Sequence, residues 1–175
     1  MRDRVAEAVG RLARWAAGLS WTDLPEDVRR HAALILLDDF AAMVAARAEP
    51  ELVALRQGLV RSAGPAEATV FDGTGARLDR YSAALSNGAG ADWCELDGGY
   101  RPAVCHAALY CLPALMAEAE AGGATLRDLL VALVAGYETV ARFARAFVFP
   151  PLVLHPHGGL ATVGAAAAVA RLRGL

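Results

Sequence analysis

Ala68-Thr69-Val70-Phe71-Asp72-Gly73-Thr74-Gly75 is the stretch on which the fold class turns. A short apolar run with β-branched and aromatic residues leads into an Asp-Gly-Thr-Gly turn, which reads as a strand and the bend after it. It is the only such segment in the chain, and one short strand-and-turn does not make a sheet. The expected fold is therefore all-α, a multi-helix domain with at most one short β hairpin near 66–76.

On the N-terminal side, Val5, Val9, Leu12, Trp15 and Ala16 recur at helical spacing up to a stop at Gly18. Thr22-Asp23-Leu24-Pro25-Glu26 is a start signal: a capping side chain, a Pro whose missing N–H costs nothing in the first turn, and an acid at the positive end of the helix. The helix it opens should reach about Ala46 and lie centrally, since Asp38 and Asp39 are its main charges after Arg30. A third helix is expected over about Pro50 to Arg61. On the C-terminal side, helices are expected from about Leu78 to Trp93, from about Cys105 to Glu120, from Thr125 to about Phe147, and from near Gly158. Thr125-Leu126-Arg127-Asp128 has the pattern of a capping box with Asp for Glu, and Phe149-Pro150-Pro151 should close that helix. With no repeat and no low-complexity linker, residues 1–175 read as a single helical domain, and the helical pattern still running at Leu175 leads us to expect a piece of a longer chain.

The 175 residues are 56% hydrophobic and 21% charged with a formal charge of −2, so no basic face invites nucleic acid or an anionic membrane. All 17 cationic residues are Arg, which leaves no lysine for Schiff-base or general-base chemistry. The N-terminus lacks the roughly 7–15-residue apolar run of a signal peptide, and no segment reaches the roughly 20 residues of a membrane span. Cys94, Cys105 and Cys111 are too few and too irregular for a disulfide framework or an iron–sulfur run and read as buried small hydrophobes. A cytoplasmic protein is expected. Gly88-Ala89-Gly90 lacks the third glycine and the preceding strand of a dinucleotide fingerprint, and neither a P-loop nor Gly-x-Ser-x-Gly occurs.

Two polar loops could carry chemistry. Asp92 to His106 gathers Glu95, Asp97, Arg101 and His106 around Gly98-Gly99, a set able to hold an acid and a base beside a carboxylate, although the same residues also make an ordinary turn. His155-Pro156-His157-Gly158-Gly159 places imidazoles ahead of an apolar helix. As metal ligands neither set is persuasive, and no metal is expected.

The run Asn87-Gly88 to Asp97, then His106 ahead of Pro113-Ala114-Leu115, resembles the MmgE/PrpD family, as do Leu37-Asp38-Asp39-Phe40, Gly136-Tyr137-Glu138 to Arg142, and His155-Pro156-His157-Gly158 before Gly164-Ala165. The departures are Asp92 where many members have His, Gly98 in place of a second acid, and the Cys105-His106-Ala107 setting. The resemblance implies that residues 1–175 are the N-terminal part of a larger two-domain architecture, an all-helical domain completed by a smaller lid, usually in a dimer, with cofactor-independent lyase chemistry of the dehydratase type on a small di- or tricarboxylate. Epimerisation, decarboxylation, or a catalytically silent fragment or assembly partner are the alternatives. It implies catalytic roles for Glu95, Asp97, His106 and His155 and substrate contacts for Arg101 and His157. The family's active-site lysines would lie further along, so the expected partners are the carboxylate substrate and a second copy, or a chain supplying the missing domain.

Overall fold

In the computed structural model, which describes residues 2–147 and 156–175, the expected strand shrinks to two residues. β1 (Ala68–Thr69) pairs antiparallel with β2 (Arg77–Leu78), Ala68 opposite Leu78 and Thr69 opposite Arg77. Asp72 closes the turn between them by accepting from the Thr74 amide at 2.9 Å and the Thr74 hydroxyl at 2.6 Å. The other regular elements among the described residues are seven α-helices, α1 (Arg2–Gly18), α2 (Glu26–Ala45), α3 (Pro50–Ser62), α4 (Arg80–Trp93), α5 (Leu112–Gly122), α6 (Leu126–Ala146) and α7 (Pro156–Leu172), and two single-turn 3-10 helices at Trp21–Asp23 and Ala46–Ala48. The protein is all-α with one short hairpin.

Side-chain caps set several of these ends. The Thr125 hydroxyl accepts the Asp128 amide at 3.2 Å while the Asp128 carboxylate accepts the Thr125 amide at 3.2 Å, so the capping box forms and α6 starts where its sequence places it. Asp79 accepts the amides of Tyr81 and Ser82, both at 3.1 Å, and starts α4 two residues later than expected because Leu78 is taken by β2. The expected closure at Phe149-Pro150-Pro151 lies outside the described residues.

α5 departs most from expectation. It begins at Leu112 rather than Cys105, because Pro113 has no N–H to give the carbonyl of residue 109 and its ring would collide with that carbonyl. Residues 105–111 form successive turns instead, with Tyr110 N–H bonded to His106 O at 3.2 Å and Cys111 N–H to Ala108 O at 2.9 Å.

The centre is also displaced. α6, not α2, is the axis: eleven of its residues, from Leu129 to Ala144, are buried. α2 is apolar on several sides, so its sequence does not say which face turns inward; Ala32, Asp39, Ala42 and Met43 do, while Leu34 and Leu37 face outward. α7 lies close along α6 because Gly136 and Gly164 have no side chain. A Cβ on Gly136 would stand 2.8 Å from Ala168 Cβ and 2.9 Å from Cys111 Sγ, and one on Gly164 would stand 2.6 Å from Val140 Cγ2. The irregular 105–111 segment is thus gripped between α6 and α7. On the other flank, Asn87 of α4 clasps the hairpin, its Oδ1 accepting Phe71 N–H at 3.0 Å and its amide donating to Thr69 O at 2.9 Å.

Candidate functional site

The loop between α4 and α5 turns the acidic stretch inside out. Cys94 caps α4, and Glu95 takes a left-handed φ of 52°, which costs a non-glycine residue energy and reverses the chain at once. Gly98-Gly99 follow, and Tyr100 N–H donates to Cys105 O at 2.7 Å to close the loop. Asp97 is thereby driven inward while Glu95 and Arg101 remain exposed. Directly after it comes the buried run 107–113, which seats His106 against the loop.

Asp97 and His106 form a pair, with His106 Nδ1 2.5 Å from Asp97 Oδ2. The Asp97 side chain has no exposed surface and that of His106 retains 23%. A carboxylate on Nδ1 orients the ring and favours the tautomer with its proton on Nδ1. That is the arrangement of an oriented general base and acid. Tyr110 lies beside it with ring centroids 6.4 Å apart, its phenol pushed up by burial and so held protonated.

Behind the pair stands Asp39 of α2, 1% exposed. Its Oδ1 accepts the Gly98 N–H at 3.4 Å, while its Oδ2, like Oδ1 of Asp97, is buried without a hydrogen-bond partner among the described residues. Burial first, then the charges of Asp97 and Asp38, push the Asp39 carboxyl up to about 7 against the opposing pull of the Gly98 amide and His106. An open groove of about 540 Å³ runs past this face, lined by His31, Leu37, Asp38, Gly98, Gly99 and Tyr137 among others.

Of the residues singled out from sequence, the fold brings Asp97 and His106 together. Glu95 and Arg101 stand at the surface of the same loop, outside the pair. His155 and the side chain of His157 lie outside the described residues, with residue 157 in the first turn of α7. Asp39 escaped sequence reasoning as a site residue; its signal was an acid pair inside an otherwise apolar stretch of helix. Cys105 and Cys111 are buried, and burial pushes the Cys105 thiol up to about 11, which leaves it inert as a nucleophile, whereas Cys94 is exposed, contrary to expectation. Among the described residues, no three His, Cys, Asp or Glu side chains are grouped to hold a metal ion, and no helix is long and apolar enough to cross a membrane.

Known proteins resemble the chain over nearly its whole length. The model of the MmgE/PrpD N-terminal domain matches residues 10–175. Cis-aconitate decarboxylase of Aspergillus terreus is 32% identical over 141 residues, which are 77% of this chain and 28% of that protein. The cis-aconitate decarboxylase-like protein oryM of Aspergillus oryzae is 32% identical over 174 residues, 94% of this chain and 36% of that protein. The chain therefore spans about a third of the length of these relatives. The matched residues run through all seven helices, the hairpin and the loop that holds Asp97 and His106, and on that extent the chain belongs to the MmgE/PrpD family through its N-terminal domain.

Proposed function

We propose that this domain supplies the proton-transfer group of a lyase acting on a small di- or tricarboxylate. The observation that carries the reading is the 2.5 Å contact between His106 and the enclosed carboxylate of Asp97. Breaking a C–O or C–C bond next to a carboxylate needs a group that takes a proton from carbon, or returns one to it, on the path to water or carbon dioxide loss. His106 does this at Nε2, with Asp97 setting the tautomer and stabilising the imidazolium. Such chemistry asks for acid–base groups and carboxylate-binding cations, not for an organic cofactor. Arg101, on the rim of the loop, is the nearest cation in sequence for a substrate carboxylate. Both relatives named above carry decarboxylase names, which favours carbon dioxide loss over dehydration or epimerisation. Because the chain spans only about a third of those proteins, we assign the other carboxylate-binding groups to the remaining two-thirds of such a polypeptide, or to a partner chain or second copy. Three cysteines without a disulfide suit a reducing, cytoplasmic setting.

The test is proton–deuterium exchange followed by NMR on aconitate-like, citrate-like and malate-like acids in D₂O, with the chain alone and with any polypeptide encoded beside it. Exchange, or new alkene signals, that fall about 100-fold or more in His106→Gln support the assignment. Exchange unchanged in that variant overturns it. A folded sample that is silent in both conditions supports instead an assembly role, for which the exposed apolar side chains of α1 and α2, Val5, Val9, Leu34 and Leu37, speak independently.

A further inference from the structure

We propose that Asp39 is the third member of the buried group, a positioning residue that anchors the loop at Gly98 and governs, through its own proton, how the Asp97–His106 pair holds its proton. Two observations carry this. Asp39 comes from a different element, α2, and reaches 59 residues along the chain to the amide immediately after Asp97, so the seat of Asp97 depends on it. Its only hydrogen bond in the described structure is that long 3.4 Å contact, and its second oxygen is buried without a partner, as is the second oxygen of Asp97. A carboxylate so poorly solvated does not persist as an anion beside another carboxylate; it keeps a proton or draws a buried water.

The charge count points the same way. Among the described residues, the titratable groups facing Asp39 are Asp38 on its own helix, Asp97 and His106 on the loop, Cys111 ahead of α5 and Tyr137 on α6. α4, which also packs on α2, meets it at Gly90 against the Met43 backbone, with Asp92 the titratable residue next along that helix. Burial pushes the thiol and the phenol up, so both stay neutral, and among these described groups His106 is the one able to carry a positive charge. Loss of the proton from Asp39 adds one negative charge beside His106. Asp39 therefore changes the field at His106 without touching a substrate, and burial has pushed it up to about 7, where that change falls near neutral pH.

For its catalytic meaning this inference rests on the proposed role of His106, but its test does not need a substrate. In the full chain labelled with carboxyl-¹³C aspartate and ring-¹⁵N histidine, one aspartate signal should titrate within about a unit of pH 7, and the His106 ring signals should show a step at the same pH. Asp39→Asn keeps a carbonyl oxygen for the Gly98 amide but cannot ionise, and should abolish the aspartate signal and the matching step together. The proposal is overturned if no aspartate of the wild-type chain titrates in that range, which requires no variant to fold, or if the His106 step survives in Asp39→Asn. Where exchange on a carboxylic acid is found, its pH profile should lose the same step in Asp39→Asn. A coupled step without exchange on any acid would sink the lyase reading and leave the coupling established.

Discussion

Asp39 makes the site expensive to keep. In the unfolded chain it ionises near the ordinary value of 3.8, whereas in the folded chain it holds its proton up to about 7. Between those values the native state binds more protons than the unfolded state, so the stability of the fold falls as pH rises through the window and levels off above it. Asp39→Asn removes that slope. Measured by urea unfolding at pH 4.5 and 7.5, the variant should gain on the order of 3 kcal/mol relative to wild type between the two conditions, at about 1.4 kcal/mol for each pH unit of the window. Parallel stability curves for the two proteins would show that Asp39 is ionised in the fold. The charged residues of this site were only partly readable in advance. Asp97, Glu95 and Arg101 look alike in a Gly-rich loop, and their separation into one buried and two exposed residues depends on the left-handed turn at Glu95, which no propensity favours at a glutamate. Asp39 was hidden for a different reason: it meets the loop across 59 residues, and no local pattern encodes that distance.

Local signals did specify most of the helices. Gly18 ends α1, Pro25 with Glu26 and Asp27 opens α2, and the Thr125–Asp128 box opens α6, because each acts within one turn of the residue that carries it. The start of α5 is set by a local signal, Pro113, which the apolar run before it obscures. That run is apolar because residues 107–111 are buried as turns at the junction of α5, α6 and α7, and hydrophobicity alone does not distinguish a buried turn from a buried helix. The glycines at this junction explain how a non-helical segment fits there. Gly164→Ala would place its methyl carbon 2.6 Å from Val140 Cγ2, 3.0 Å from the Tyr110 carbonyl oxygen and 3.1 Å from Cys111 Sγ. Helix propensity favours alanine over glycine by about 1 kcal/mol, but overpacking against a backbone carbonyl costs about 1–3 kcal/mol or more, so the variant should be net destabilised. It should also disturb His106, whose carbonyl holds the Tyr110 amide. Thermal unfolding and the His106 ring signals together check this: a variant as stable as wild type with unshifted His106 resonances would mean that α7 can slide away from the turns at little cost.

The same close packing leaves a surface larger than the chain needs. A compact monomer of 18.3 kDa exposes about 8,100 Å² by the usual scaling with mass, and this chain exposes 9930 Å², about a fifth more. Part of the excess is apolar and gathered in one place. α1 buries only Ala16 among its seventeen residues, although Val5, Val9, Leu12 and Trp15 are spaced as a core-facing stripe. With Phe143 and Phe147 at the end of α6, Val5, Val9 and Leu12 border an open apolar groove of about 590 Å³. A stripe with the periodicity of a buried face and the exposure of a solvent face is a local instruction without its partner, and it is the clearest case here of sequence and isolated fold disagreeing. Such a surface should be covered at the concentrations where proteins are handled, by a second copy when nothing else is present. Sedimentation velocity between about 1 and 100 µM should therefore show reversible association, and the unfolding midpoint should rise with concentration, since a partner that binds only the folded chain stabilises it by mass action. Val9→Glu, on an exposed turn of α1, should abolish both effects while leaving the monomer folded, because Val9 is 43% exposed and contributes little to the isolated core. A monomer at every concentration, with a midpoint that does not move, would mean that solvent is the normal neighbour of α1 and that its apolar stripe contributes nothing to assembly.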